Sequence, residues 1–290
     1  AINLFKQNLA DSERILGPNH PNTLAFLDGL ASAYLSAGRL EQAINLFKQN
    51  LADSERILGP DHPHTLASRN NLALAYQDAG RLEQAINLHK QTLADRERVL
   101  GPDHPHTLAS RNNLALAYQD AGRLEQAINL HERNLTERER ILDPDHPDTL
   151  TSRGNLASAY QDAGNLKKAI DIFEQALTDS ERILGPDHPY TLAFLDGLAS
   201  AYQDAGNLKK AIDIFEQTLT DSERILGLNH PHTLTLRNNL ASAYQDAGKL
   251  EQAINLFEQT LADRERILGP DHPDTLTSRD NLARAREARN

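Results

Sequence analysis

The chain has no cysteine, methionine or tryptophan in 290 residues. Without cysteine there is no disulfide framework, no thiolate nucleophile and no Cys-ligated zinc site; such usage fits a reducing cytoplasm. No apolar run approaches the roughly 20 residues of a membrane span. The first residues also lack the basic, apolar and small-residue order of a signal peptide. Positive charge is scarce. The net charge of −11 argues against nucleic acid and anionic membrane, which are held by clustered Lys and Arg. Arginines sit among acidic residues, as in "ADRERVL" at 94–100, the pattern of a solvated helix face. No Gly-rich phosphate loop is present, and no paired carboxylates stand outside the repeated charge pattern. We therefore expect no enzyme, no catalytic residue, no cofactor and no metal.

What the sequence does have is repetition. "AIN" or "AID" begins at Ala1, Ala43, Ala85, Ala127, Ala169, Ala211 and Ala253, always 42 residues apart. Residues 64–89 are identical to 106–131, and 156–175 to 198–217. The division expected is one array over 1–290. It has a partial unit at 1–21 and full units at 22–63, 64–105, 106–147, 148–189, 190–231 and 232–273. A terminal helix follows at 274–290.

Each unit reads as two helices. Leu66, Leu72, Ala73, Tyr76 and Ala79 recur at helical spacing, and Gly80 then stops the helix. Leu82, Ala85, Ile86, His89, Leu93, Val99 and Leu100 mark a longer second helix, ended by Gly101-Pro102. Neither stripe can be buried alone, so neighbouring units must stack. The fold class expected is all-α: an α-solenoid, a right-handed superhelix of stacked antiparallel helix pairs.

The segment "NNLALAYQDAGRLEQAI" resembles the tetratricopeptide signature, with Leu72, Ala73, Tyr76, Gly80 and Ala85 at its hallmark spacing. The unit is longer than the usual 34 residues. With "NNLA..Y" and "LG.DHP" it resembles the repeats of kinesin light chain, and bacterial arrays of that type found behind signalling NTPase modules. The resemblance implies a protein-interaction scaffold whose first helices line a concave wall. Chaperone-clamping members place lysines there, whereas the matching positions here are Ala67, Asn70 and Ala109. A chaperone role is therefore not expected.

Four sets of residues invite a role. The joint "LGPDHPHTL" (58–66) concentrates Asp61, His62 and His64, but its recurrence reads as a helix boundary. Asp61, His62 and Thr65 would offer acceptors to the next helix start. His89 and His131 stand where other units carry Phe5, Phe47, Phe173, Phe215 and Phe257. They are either hydrogen-bonded core histidines or a pH-sensitive weak point. The concave wall would carry Asn70, Asn71, Leu74 and Gln77, then Asn112, Asn113, Leu116 and Gln119, and then Asn155, Asn238 and Asn239. Such an amide ladder can pair with an extended peptide backbone, or be simple solvated surface. Arginine at 69, 111, 153, 237 and 279 would pair with neighbouring acids or face an acidic ligand.

Units one and five replace "SRNN" by "FLDG", placing Phe26 and Phe194 four units apart. The exchange reads as duplication history, or as two apolar anchors for one long ligand. Ala1 falls inside a repeat, so more chain is expected before it, while the charged "NLARAREARN" resembles a terminal cap. The function expected is binding of a peptide or partner protein along the concave groove. The alternative is end-to-end self-association through the first helix.

Overall fold

A computed structural model describes residues 2–289. Among them are fourteen helices and no strand: α1 (Ile2–Leu16), α2 (Pro21–Ser36), α3 (Leu40–Leu58), α4 (Pro63–Asp78), α5 (Leu82–Leu100), α6 (Pro105–Asp120), α7 (Leu124–Leu142), α8 (Pro147–Asp162), α9 (Leu166–Leu184), α10 (Pro189–Asp204), α11 (Leu208–Ile225), α12 (Pro231–Asp246), α13 (Leu250–Leu268) and α14 (Pro273–Arg289). Even-numbered helices are the first helices of the repeats; odd-numbered ones are the second.

The boundaries follow from local chemistry. Each first helix from α2 to α12 begins with proline at its first position, where the missing N–H is not needed. The cap is the histidine before it: His62 Nδ1 accepts from the His64 N–H at 3.1 Å, and His104, His146, His188 and His230 act alike. Asp61 and Thr65 do not cap, contrary to the sequence reading. Thr65 Oγ1 donates to the Gly59 carbonyl at 2.8 Å, closing the loop behind the helix. Asp61 lies outside, paired with Arg98 of the next repeat. At the far end Gly80 takes φ +69°, and the Arg81 N–H reaches back to the Tyr76 carbonyl at 2.8 Å. That bond satisfies a carbonyl the helix leaves unpaired.

Contacts divide the chain into two compact units, Ala1–Glu137 and Arg138–Asn290. In each, consecutive helices pack as antiparallel pairs with alanines at the crossings; Ala31, Ala43, Ala73 and Ala85 are wholly buried. First helices also touch one another directly, α4 with α6 and α8 with α10, then α10 with α12 and α12 with α14.

The two cores differ. In the second unit one apolar cluster runs from Leu150 to Ala285 through Phe173, Phe215 and Phe257. In the first unit the apolar residues fall into two clusters, one from Leu30 to Ala85 and one from Ile86 to Ala127. His89, His131, Asn50 and Asn134 are fully buried there.

Candidate functional site

The first-helix face holds the candidate residues. Asn70, Asn71, Leu74 and Gln77 are half-buried on α4, as are Asn112, Asn113, Leu116 and Gln119 on α6. Asn155 on α8 and Asn238 and Asn239 on α12 have the same exposure. They are not simple solvated surface, because many of their amides bond to the neighbouring first helix. Asn113 Nδ2 donates to Asn70 Oδ1 at 2.9 Å, and Gln77 Nε2 donates to Asp120 at 2.5 Å. In the second unit Asn281 donates to Asn238, Asn239 to Asp196, Gln161 to Asp204 and Gln203 to Asp246. Each bond links residue n to residue n+43, or the reverse. An amide has two N–H donors and two acceptor lone pairs. One such bond uses only part of an amide's capacity, although Gln77 Oε1 is itself shut off from solvent.

The arginines are structural. Arg69 is 6% exposed and bridges Glu55 of the preceding second helix to Asp95 of its own, at 3.2 and 2.6 Å. Arg153 and Arg237 repeat the bridge with Glu139 and Asp179, and with Glu223 and Asp263. Arg111 reaches Glu97, and Arg279 reaches Glu265. "ADRERVL" is not uniformly a solvated face either. Arg96 is buried and donates to the His106 carbonyl and to Ser110 Oγ; Arg138 and Arg264 do the same one helix start along. Other repeats place Ser12, Ser180 and Ser222 at that slot, each bonded to the following threonine. The Ser/Arg exchange across repeats was the signal that could have exposed this.

His89 and His131 have no hydrogen-bond partner at either ring nitrogen, so the expectation of a bonded core histidine fails. Burial pushes both imidazoles down to about 4, and nearby Arg96 adds to the effect at His89. No three His, Cys, Asp or Glu side chains among the described residues gather as metal ligands. Nor is any helix among those residues long and apolar enough to cross a membrane.

The "FLDG" exchange builds a cavity. Phe26 is half-buried on α2, whereas Phe194 is 5% exposed, with its ring laid over Gly154 of α8. A Cβ at Gly154 would meet that ring at 2.7 Å, and one at Gly197 would meet Phe173 at 2.5 Å. Asparagine at either place would collide. The space between α8 and α10 is a pocket of about 340 Å³, lined by Asn155, Ser158, Phe173, Tyr190, Phe194 and Asp196 among others. Burial pushes the Asp196 carboxyl up; the Asn239 bond and nearby His232 pull it back. Burial in turn holds the His232 imidazole below its ordinary value.

Comparison with known proteins agrees with the fold. The tetratricopeptide repeat family matches at 1–53, 27–98, 66–135, 108–181, 154–224, 191–265 and 232–290. The chain belongs to that family. A crystal structure from Podosopora anserina, described as putative kinesin light chain nearly identical TPR-like repeats, is 34% identical. The match covers 71% of this chain and 97% of that one, with a TM-score of 0.60. A tetratricopeptide repeat protein from Parabacteroides merdae shares the fold at 18% identity, covering 97% and 90%, with a TM-score of 0.68. A signal-transduction ATPase with numerous domains and a tetratricopeptide repeat sensor, from Pyrococcus horikoshii, is 17% identical. That match covers 99% of this chain and 41% of that one, with a TM-score of 0.58. No curated protein matches. Repeats of this family generally mediate protein–protein interactions and are typically non-catalytic.

Proposed function

We propose that the chain is a non-catalytic scaffold that binds a peptide or an extended segment of a partner protein along the first-helix face. The observation that carries this is the row of half-buried amides held between neighbouring first helices, with Leu74 and Leu116 beside them. Donors and acceptors held in one rotamer cost little further ordering when a ligand docks. Repeated backbone-type contacts read the shape of a chain rather than a sequence, and sparse apolar positions add affinity.

The test uses peptides selected on the intact chain from a random-sequence display library. Leu116→Arg and Ala193→Arg on first helices should weaken the selected peptides about tenfold or more. Gln91→Arg and Gln175→Arg, exposed on second helices, should leave them unchanged. Equal affinity across all four variants would refute the groove.

Self-association is the second reading, and it rests on α1. Leu4 is 62% and Ile15 66% exposed there, and at the other end Leu276 is 43% exposed on α14. Against it, Arg286 and Arg289 beside that end pair with Glu258 and Glu251. A strict monomer in sedimentation across a wide concentration range excludes it.

A further inference from the structure

We propose that the pocket between α8 and α10 takes the lysine or arginine side chain of a bound peptide, its stem against Phe194 and Phe173 and its cation on the Asp196 carboxylate. The inference rests on the groove reading above and names what one position of that groove selects.

Two exchanges make this repeat unlike its neighbours. Leu195 stands where Arg69, Arg111, Arg153 and Arg237 stand elsewhere, and Asp196 stands where Asn70, Asn112 and Asn238 do. One fixed cation is lost and one anion gained at the same turn. A carboxylate withdrawn from water is costly unless donors satisfy it. The first "FLDG" repeat meets that cost internally. Its Asp28 accepts from Asn50 at 3.3 Å and from Asn71 at 3.1 and 3.2 Å, so both oxygens are engaged.

The second copy does not. Asn239 donates to Asp196 Oδ1 at 3.0 Å, but Thr218 occupies the slot of Asn50 and turns its hydroxyl to the Ile214 carbonyl at 2.8 Å. Asp196 Oδ2 accepts no bond from the described residues, and it is not sealed from solvent.

The cations nearby are committed. Arg153 and Arg237 each hold two acids, and burial holds the His232 imidazole below its ordinary value, against the pull of Asp196. The walls suit an amphipathic cation. Phe173 and Phe194 line the cavity and Tyr190 stands 38% exposed at its rim. Aliphatic stems pack on such rings, and a cation near their faces gains further. About 340 Å³ lies at the small end of ligand sites, the scale of one side chain. A pocket of this kind on a face of near-identical rungs would set the register of the peptide.

Peptides selected as above are measured on the wild type, Asp196→Asn, Asp28→Asn and Thr218→Asn. The Asp196 exchange keeps an acceptor for Asn239 but removes the charge; the Thr218 exchange supplies the second amide that Asp28 enjoys. One lysine or arginine of the peptide, changed to norleucine, should cost about ten- to hundredfold on the wild type, the range of a charged hydrogen bond. The same change should cost nothing on Asp196→Asn, and Asp28→Asn should bind like the wild type. Thr218→Asn should weaken the basic peptide while leaving the norleucine peptide unchanged. If norleucine peptides bind as well as basic ones on the wild type, the proposal is overturned. Should Leu116→Arg and Ala193→Arg still weaken those peptides, the groove stands and only the pocket assignment falls. If those two variants have no effect, the groove itself falls.

Discussion

The two compact units are built from nearly the same repeat, yet they fill one interior slot differently. In the second unit Phe173, Phe215 and Phe257 occupy it, and Thr218 and Thr260 nearby satisfy their hydroxyls on the carbonyl four residues back. In the first unit Phe5 and Phe47 hold it in two repeats, but His89 and His131 take it in the next two, and Asn134 lies one turn on with both amide atoms unpaired. A repeat can therefore keep its backbone while its core gives up bonding. An apolar ring contributes by burial and contact, whereas an unpaired imidazole adds a desolvation cost to a similar shape. The difference teaches that near-identical repeats need not be equally stable, and that the weak ones can be found by counting satisfied atoms.

Acid should separate the units most. With native values near 4 against 6.5 for the ordinary imidazole, the unfolded chain takes up protons that the native chain refuses. Stability is therefore intact above about pH 6.5 and falls toward pH 4, by about 2 kcal/mol per histidine at pH 5. Hydrogen exchange should show α5–α7 losing protection between pH 7 and 5 before α11–α13 do, after correction for intrinsic rates. His89→Phe with His131→Phe should abolish that difference; an unchanged gap would locate its cause elsewhere.

A smaller effect sharpens the contrast. Asn134→Thr installs the residue that the previous repeat carries as Thr92, whose hydroxyl bonds the Leu88 carbonyl at 2.8 Å. Removing two orphaned polar atoms should stabilise the first unit by about 1 to 2 kcal/mol in urea denaturation. A loss of stability would show that Asn134 has a partner after all.

The smallest concerns the second unit's own weak joint. Asp143 stands where other joints carry glycine, and it is the one non-glycine described with positive φ, at 89°. Its Oδ1 accepts from the Asp145 N–H at 3.1 Å, which offsets part of the strain. Asp143→Gly should raise the melting midpoint by an amount worth about 0.5 to 1 kcal/mol. A fall would mean the side-chain bond outweighs the strain.

The helix pairs were legible because a period of 42 residues and two stop signals per period leave little choice of boundary. The division of labour at the joint was not. Histidine, aspartate and threonine can all cap a helix, and only the folded loop shows Thr65 donating backward and Asp61 reaching the next repeat. The amide face was legible as a row of residue types, but its rungs were not. Their partners lie one residue beyond the period, a register set by helix crossing rather than by any local pattern. Arg96 was missed because its neighbours are charged, although the serine at the same slot of other repeats marked the position as buried. Asp196 was read only as part of "FLDG". The second amide it lacks is lost at Thr218, on a different helix.

The Phe194 ring over Gly154 bears on how such an array changes through time. Rungs that join the same two positions in each pair of successive repeats can re-form after a whole repeat is gained or lost, since any top edge meets any bottom edge. Segments as alike as 64–89 and 106–131 invite that exchange. Phe194 does not tolerate it, because an asparagine ahead of the ring would collide. A pairing of side chain with empty space thus acts as an address, fixing the order of two repeats in a chain otherwise free to be shuffled.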